Sequence, residues 1–380
     1  MYRFDIFKSY HLVNSDHWNS IIGDNNIYLS LKYLSALEDT LKDQIRFHYI
    51  LFYKNQKEPI GVAITQTLTF IDKGFTENEQ ICKIRNKIKK RFVTGDGTKI
   101  LTCGNPFASG ENGFYFLENH KSKTTFKLLH KAIHKISKED KTPVILFKEF
   151  WSTQMNDRHL WNDARYTGFE IDVNMVMPIS EKWKNRADYY DAMNTKFRSK
   201  AKNAYHKSHD IQVKNFQNED IERFKEEILN LYLSVVGKSP FDYGNLNSDT
   251  FYALKKNLKE DFIVKGYFYK EKLVGFSSAF VFDSVLDANF VGINYELNNE
   301  LAIYQRMLYD FVDHAILNQC KEIRFGRTAE EIKSSIGAKP VNMILFIKHK
   351  NILTNLILKS IIGKNKPSEF SLRKPFKLGV

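Results

Sequence analysis

Phe268-Tyr269-Lys270-Glu271-Lys272-Leu273-Val274-Gly275-Phe276 reads as a strand, a two-residue polar turn and a second strand, and the chain carries this pattern twice. Phe52-Tyr53-Lys54, a short polar turn and Ile60-Gly61-Val62-Ala63 form the earlier copy. Farther along, each copy has a helix, a strand, a second short helix, a glycine and then Val-Asn-Met, at 173–175 after Gly168 and at 341–343 after Gly337. Tyr-Lys turns and Val-rich strands are common singly. Matching pieces in the same order point to two related α/β domains in tandem rather than one large fold.

A chain of 380 residues is long enough for two domains that each bury a core. Apolar residues at 43% and aromatics at 14% exclude a mostly disordered chain. Thirty Phe and nineteen Tyr fit thick cores or an aromatic-lined groove. Cys82, Cys103 and Cys320 are far apart and odd in number, which argues against a disulfide framework and a zinc site and fits a reducing cytoplasm. Neither a signal-peptide run at Met1-Tyr2-Arg3-Phe4-Asp5-Ile6 nor an apolar stretch of membrane-span length is present. The expected location is the cytoplasm, with peripheral contact to the inner face of the membrane as an option.

The net charge of +13 is concentrated. Residues 83–91 carry six basic side chains and no acid, residues 196–207 carry five Lys or Arg and no acid, and the tail from Lys348 is basic again. One such run is an ordinary solvated face; three favour an anionic partner: a nucleotide-bearing cofactor, RNA or an acidic membrane surface. Acidic helices at 218–235 and 248–261 are alternative partners within the chain.

Spacing predicts a helix over 26–41, two strands within 45–71, a strand over 99–104 and a turn-rich loop over 105–110. A helix over 123–136 and a buried strand over 143–147 follow, with Lys148 and Glu149 at its end. A basic helix spans 189–206. The second half opens on an acidic helix over 220–235 and a helix over 248–258, with Ser248 as the expected N-cap. A meander of strands over 262–270, 273–282 and 287–295 leads to a helix over 301–317, a strand over 322–325, a short helix over 329–335 and a last strand over 340–348. The domains are drawn at 1–180, a basic connecting helix at 181–215, 216–350, and a basic tail at 351–380.

That order of elements resembles the GNAT acyltransferase superfamily, and the whole chain resembles tandem-GNAT proteins related to the Fem peptidoglycan aminoacyltransferases. The phrases that carry the likeness are Leu29, Tyr33-Leu34 and Ala36-Leu37-Glu38; Gly104-Asn105-Pro106-Phe107 with Gly110 and Gly113-Phe114; Phe147-Lys148-Glu149-Phe150; Trp183 through Tyr190 to Phe197-Arg198 with Lys200 and Lys202; and Phe325-Gly326-Arg327-Thr328 with Lys333 and Gly337-Ala338. The resemblance implies an α/β (α+β) fold of two GNAT-like domains, each a mixed, mostly antiparallel sheet flanked by helices. It implies an N-acyltransferase that moves an acyl group from a thioester, acyl-CoA or acyl carrier protein, to an amine of a small molecule, lipid or cell-envelope precursor. No cofactor would be held permanently; the acyl thioester is a cosubstrate. Alternatives are an aminoacyl-tRNA-dependent aminoacyltransferase acting on a peptidoglycan precursor and a non-catalytic module for an anionic ligand. DNA is not an expected partner.

Attack of an amine on an activated carbonyl needs oriented donors, a splayed strand pair and a route for the amine proton. The likeness locates these around Phe276, Ser278 and Phe280, and at Asn294, Asn298 and Asn299, which are the expected cofactor contacts. Tyr295, Tyr304 and Glu149 are the catalytic candidates, the tyrosines as proton donors to a leaving thiolate. Lys148, Arg198, Arg324, Arg327 and Lys333 are the substrate-binding candidates; for Arg327 and Lys148 a structural ion pair is the competing assignment. Where a coenzyme A pyrophosphate loop carries spaced glycines, this chain has Glu296-Leu297-Asn298-Asn299-Glu300-Leu301. The long helical hairpin of tRNA-using Fem enzymes has no room between Val213 and Phe262, where two short helices are expected.

His206 and His209 read as solvent-facing. No spacing suggests a metal, and Gly95-Asp96-Gly97-Thr98 is not a phosphate loop of the Walker type. In the tail, Ile352, Leu353, Leu356, Ile357, Leu358, Ile361 and Ile362 make an apolar face flanked by lysines, suited to an anionic membrane surface or to the protein's own core.

Overall fold

A computed structural model of the protein describes residues 2–23, 26–55, 57–70, 97–152, 158–238, 244–356 and 370–377. The basic run at 83–91, Cys82 and tail residues 357–369 lie outside them. The chain begins with β1 (Tyr2–Phe7), α1 (Ser15–Ile22), α2 (Leu31–Leu41), β2 (Arg46–Lys54), β3 (Glu58–Phe70), β4 (Thr98–Cys103) and β5 (Phe114–Phe116). Next come α3 (Lys123–Glu139), β6 (Val144–Trp151), α4 (Arg158–Asp163) and β7 (Thr167–Pro178). Then follow α5 (Arg186–Ala192), α6 (Thr195–Lys207), β8 (Gln212–Asn215), α7 (Asn218–Arg223), α8 (Lys225–Val236) and α9 (Ser248–Leu258). The meander β9 (Phe262–Tyr269), β10 (Lys272–Phe282) and β11 (Val285–Ile293) leads to α10 (Tyr295–Leu301) and α11 (Ile303–Leu317). The chain then runs through β12 (Glu322–Arg324), α12 (Glu330–Ile336) and β13 (Lys339–His349).

The repeated sequence forms a hairpin in both places. Tyr269 pairs with Lys272 across Lys270 and Glu271, whose φ values of 48° and 62° give the turn that matches strand twist. In the earlier copy Lys54 pairs with Glu58.

The chain divides into two compact units, one of 1–171, 238–246 and 343–366, the other of 172–237, 247–342 and 367–380. In the first, strands order as β1-β2-β3-β4-β6-β13, with β5 on β3. Neighbours are antiparallel except the parallel pair β4/β6. In the second, β8-β9-β10-β11-β12-β7 repeats that pattern, with β11/β12 parallel. The last strand of each sheet is traded. β7 follows the first set of strands yet pairs at 176–178 with β12, while β13 follows the second set and pairs at 343–349 with β6.

Ser122 caps α3 in a reciprocal box with Thr125, and Leu129, Ala132, Ile133 and Ile136 line its inner face. They pack on Ile50, Phe52, Leu101, Ile145 and Phe147 of the first sheet, each large aliphatic contributing about 1.5–3 kcal/mol on burial. In the second unit α11 does the same work through Leu308, Val312, Ala315 and Ile316 against Ala279, Leu286 and Ala288.

Four helices differ from the sequence expectation. The helix expected over 26–41 is a 3-10 turn at Ile27–Leu29 followed by α2, because Ser30 is extended and its Oγ accepts from the Tyr33 N–H at 3.2 Å. The acidic helix breaks at Phe224 into α7 and α8, because that ring stacks on Phe216 and meets Phe268 edge-on. The basic helix breaks at Met193-Asn194, which is extended, into α5 and α6. The N-cap of α9 is Asn247, whose Oδ1 accepts from the Thr250 N–H at 2.9 Å, rather than Ser248. No helix among the described residues is long and apolar enough to cross a membrane.

Candidate functional site

β11 and β12 pair in parallel at 285–287 with 322–324, and beyond that, among the described residues, β11 runs on beside β10 without a β12 partner. Both strands lead out at their C-terminal ends, β11 into α10 and α11, β12 into α12. A groove of about 490 Å³ lies there, lined by the first turn of α11 (Tyr304, Gln305), by Asn298 and Asn299 of α10, by α12, and by Lys200, Asn203 and Lys207 of α6. Ends of diverging parallel strands are where α/β folds hold ligands.

Local sequence explains the shape. Asn294 caps α10 by accepting from the Glu296 and Leu297 N–H groups at 3.0 and 3.3 Å. Ala302, left-handed at φ 49°, ends α10 and opens α11. Asn298 then reaches forward: its Oδ1 accepts from the Tyr304 N–H at 2.9 Å. One of the first donors of a fifteen-residue helix is thus satisfied from within the chain.

The walls are cationic. Lys196, Lys200, Asn203 and Lys207 recur at helical spacing on one side of α6, and Lys207 Nζ donates to Asn299 O at 3.3 Å. A second groove of about 400 Å³ shares Lys200 and Arg373 with the first and adds Lys196, Phe197, Leu372 and Lys374. Glu331, the acid on the first groove, is paired with Arg373 at 3.1 Å. Helix α6 is held to α11 by Tyr205, whose hydroxyl donates to Asp310 or Asp313 (3.0 and 2.8 Å), its ring lying between the guanidiniums of Arg186 and Arg306.

Titrating groups cluster beside the groove. Burial raises the Tyr304 phenol above its ordinary range, with Tyr295 and Glu330 adding to the rise, and burial raises Tyr295 too. Lys333 is buried and its ammonium donates to the carbonyls of Gly326 and Arg327; desolvation pulls it down to about 7, Glu330 opposing. Burial brings Arg327 down to about 10.

The structure thus brings Asn298, Asn299 and Tyr304 together on the groove wall, with Asn294 and Tyr295 beside them at the start of α10; Lys333 shares Glu330 with Tyr304, and the Arg327 carbonyl accepts from Lys333. Other candidates stand elsewhere. Phe276 and Phe280 are core rings packed on Phe251 and Phe262, and Ser278 is buried, bonded to both backbone groups of Phe290. Arg324 pairs with Glu322 at 2.7 Å, and Arg198 lies 3.9 Å from Asp191. Lys148 and Glu149 belong to the other unit, where Lys148 donates to Asn105, Pro106 and Ala108 carbonyls and lies 3.4 Å from the fully buried Glu149. His206 and His209 are exposed. No group of three or more metal-ligating side chains occurs among the described residues.

No protein family and no curated protein matches the sequence. Solved structures do. FemX aligns over 93% of this chain and all of its own, with a TM-score of 0.55 at 11% identity. A tandem GNAT protein from the clavulanic acid biosynthesis pathway aligns over 92% and 99%, with a TM-score of 0.55 at 6% identity. The chain has a tandem-GNAT, Fem-like fold. L-PGS from Bacillus licheniformis shares it over 88% of this chain and 97% of its own, with a TM-score of 0.50 at 10% identity.

Within this fold, the sequence did not single out Lys207, Asn203, Gln305 or Arg373. The α6 residues were legible in principle as a stripe at 196, 200, 203 and 207. Arg373 was not, since it stands in an extended segment with no period to read.

Proposed function

We propose that the protein is an acyltransferase whose second unit binds the phosphate-bearing end of an acyl donor in the α6/α11/α12 groove and transfers the acyl group to an amine. The observation that carries this reading is the cationic groove at the C-terminal ends of a diverging parallel strand pair, with the start of a long helix in its wall. The leading donor is an acyl thioester with a coenzyme A-type phosphate end. The amine nitrogen attacks the thioester carbonyl directly, the C–S bond breaks as the tetrahedral adduct collapses, and the amine proton passes to solvent. Tyr304, its phenol kept protonated by burial, donates a hydrogen bond to the departing thiolate, which leaves as the thiol with that proton while the phenolate takes one back from solvent. No covalent enzyme intermediate is required, and positioning carries most of the rate.

One observation favours an aminoacyl-tRNA donor as the second reading. The Tyr304 N–H is taken by Asn298, where a pyrophosphate would want it, while the cations continue past the first groove to Lys196 and Lys374. Native mass spectrometry with coenzyme A, long-chain acyl-CoA and aminoacyl-tRNA separates the readings. Saturable acyl-CoA binding that weakens in the Lys200→Ala/Lys207→Ala protein supports the thioester. Binding of tRNA alone moves the reading to aminoacyl transfer. Binding of none overturns both and leaves a module for another anion. A membrane-facing role for the tail, and a lipid-borne amine as acceptor, belong to this proposal as options for the acceptor side.

A further inference from the structure

The C-terminal residues 370–377 form a strap across the second unit. On one side the strap joins the α5/α6 junction: Phe376 bridges Met193, the Asn194 N–H donates to Pro375 O at 2.8 Å, and the Lys377 N–H donates to Ala192 O at 3.0 Å. The Phe376 ring plugs a socket beside Trp183 and Tyr189, with centroids 5.3 and 6.0 Å away. Gly337 makes that socket possible, since a Cβ there would stand 2.5 Å from the ring and its φ is 128°. On the other side the strap joins α12: the Ser371 N–H donates to Glu331 Oε1 at 3.3 Å, and the Arg373 N–H donates to Ser334 Oγ at 3.1 Å.

This anchoring fixes Arg373 at a place where both grooves meet. Its guanidinium donates to Glu331 Oε2 at 3.1 Å, in a pair about half exposed on each side. Such a pair is weak in water, whereas a phosphate accepts two parallel bonds from the same guanidinium. Lys374, the adjacent cation, lines the second groove, with its carbonyl turned toward the Asn194 amide at 3.4 Å.

We propose that the strap is a wall of the donor site and that Arg373 binds the phosphates of the acyl donor, held at rest by Glu331. The inference rests on the acyltransferase reading and adds to it a phosphate contact delivered by the far end of the chain. Donor arrival would exchange one acceptor of Arg373 for another without moving the strap's backbone.

The test titrates the full-length protein with coenzyme A and, separately, with tRNA, which also tells the two sources of phosphate apart. Arg373→Ala is expected to weaken binding of the phosphate ligand about tenfold to a hundredfold, and Arg373→Lys to restore part of the loss. Glu331→Gln is expected to tighten binding about two- to fivefold, because Arg373 is released from its competitor. That gain should vanish in the Arg373→Ala background, which separates release of Arg373 from relief of simple repulsion. Phe376→Ala removes no groove-lining side chain but loosens the strap that carries Arg373 and Lys374, so it should also weaken binding. Should Arg373→Ala fold poorly, Arg373→Lys and Glu331→Gln carry the test. Unchanged binding in Arg373→Ala, with Lys200→Ala/Lys207→Ala impaired, overturns the role of Arg373 and leaves the acyltransferase reading standing. Weakened binding in both Arg373→Ala and Glu331→Gln, with a lowered melting temperature in each, makes the pair a structural clasp and overturns the inference. No binding by the unaltered protein overturns both readings together.

Discussion

The same position has opposite fates in the two copies of the fold. After β4 in the first unit, the chain folds back as a loop over 104–113 whose carbonyls at Asn105, Pro106 and Ala108 all receive the Lys148 ammonium. Gly104, at φ 144°, lets that loop approach until a Cβ would lie 2.4 Å from Lys148 O. Asn105 is tied to Tyr33 at 2.9 Å and Asn112 to Asn26 at 3.2 Å, both across the loop. After β11 in the second unit, α10 and α11 stand there instead, and the space beside them stays open as a groove with Lys200 and Lys207 of α6 along one wall. Each copy keeps a buried lysine bonded to backbone carbonyls beyond its parallel pair, Lys148 in one and Lys333 in the other. Duplication therefore supplied two scaffolds; one has its loop sealed by internal bonds, and the other leaves polar and cationic groups facing solvent.

The largest expected effect separates the two lysine sets. Lys200→Ala with Lys207→Ala should weaken donor binding about a hundredfold, on the scale of two lost charge-assisted contacts, and leave the melting temperature nearly unchanged. Calorimetric titration of ligand and thermal melts on the same sample check both halves, and a normal affinity would break the contrast between an open and a sealed copy.

Lys148→Ala should do the reverse. It leaves the buried Glu149 carboxylate without its cationic neighbour at 3.4 Å and takes the ammonium away from the Asn105 and Ala108 carbonyls, at a cost of about 3–5 kcal/mol. Denaturant unfolding would read this as a lower midpoint, with ligand affinity retained wherever the protein is folded.

Acid should act on both copies. His130, within α3 and packed against Phe126, Phe147, Trp161 and Tyr166, is lowered to about 3 by burial, with His134 and Lys348 adding to the shift; His314 of α11 is lowered to about 4 by burial, with Lys265 adding. The unfolded chain protonates these rings near 6.5, so their neutral, folded forms confer full stability above that pH and lose it as pH falls. Between pH 6.5 and 4, His130 alone should account for about 3 kcal/mol. Melts of His130→Phe across that window should show a flatter pH dependence than the parent; an identical slope would remove His130 from the account.

The smallest effect sharpens the picture of the open copy. Asn298→Ala deletes a helix-start bond and should cost about 1 kcal/mol, yet it frees the Tyr304 N–H. Coenzyme A should then bind at least as well as before, while a fall in affinity would mean that Asn298 itself touches the ligand.

Much of this was readable from residues. The two hairpins, the meander and the helix-strand-helix-strand order around Gly337 follow from short-range alternation and turn chemistry, and those elements fall within a few residues of expectation. The open groove was partly readable, since Tyr304, Asn298 and Asn299 lie where the pattern put them, at the end of β11. Phe276, Ser278 and Phe280 were not resolvable as core, because a strand under two helices and a strand lining a cleft share the same alternation. α10 was hidden because residues 296–300 read as a loop standing, without its glycines, where a phosphate loop would be, while Asn294 caps the segment as a helix. Arg373 comes to the groove by long-range packing of Phe376 into the Gly337 socket, which no local period encodes.

The traded strands bear on how the protein is made. β6 receives its outer neighbour from residues 343–349, which leave the ribosome after every strand of the other sheet. The first sheet therefore waits while residues 152–342 are made with an unpaired edge beside Phe147 and Phe150, exposed to chaperones or to another nascent chain. Stalled or truncated synthesis before that point would release an unfinished first half rather than a stable half-protein.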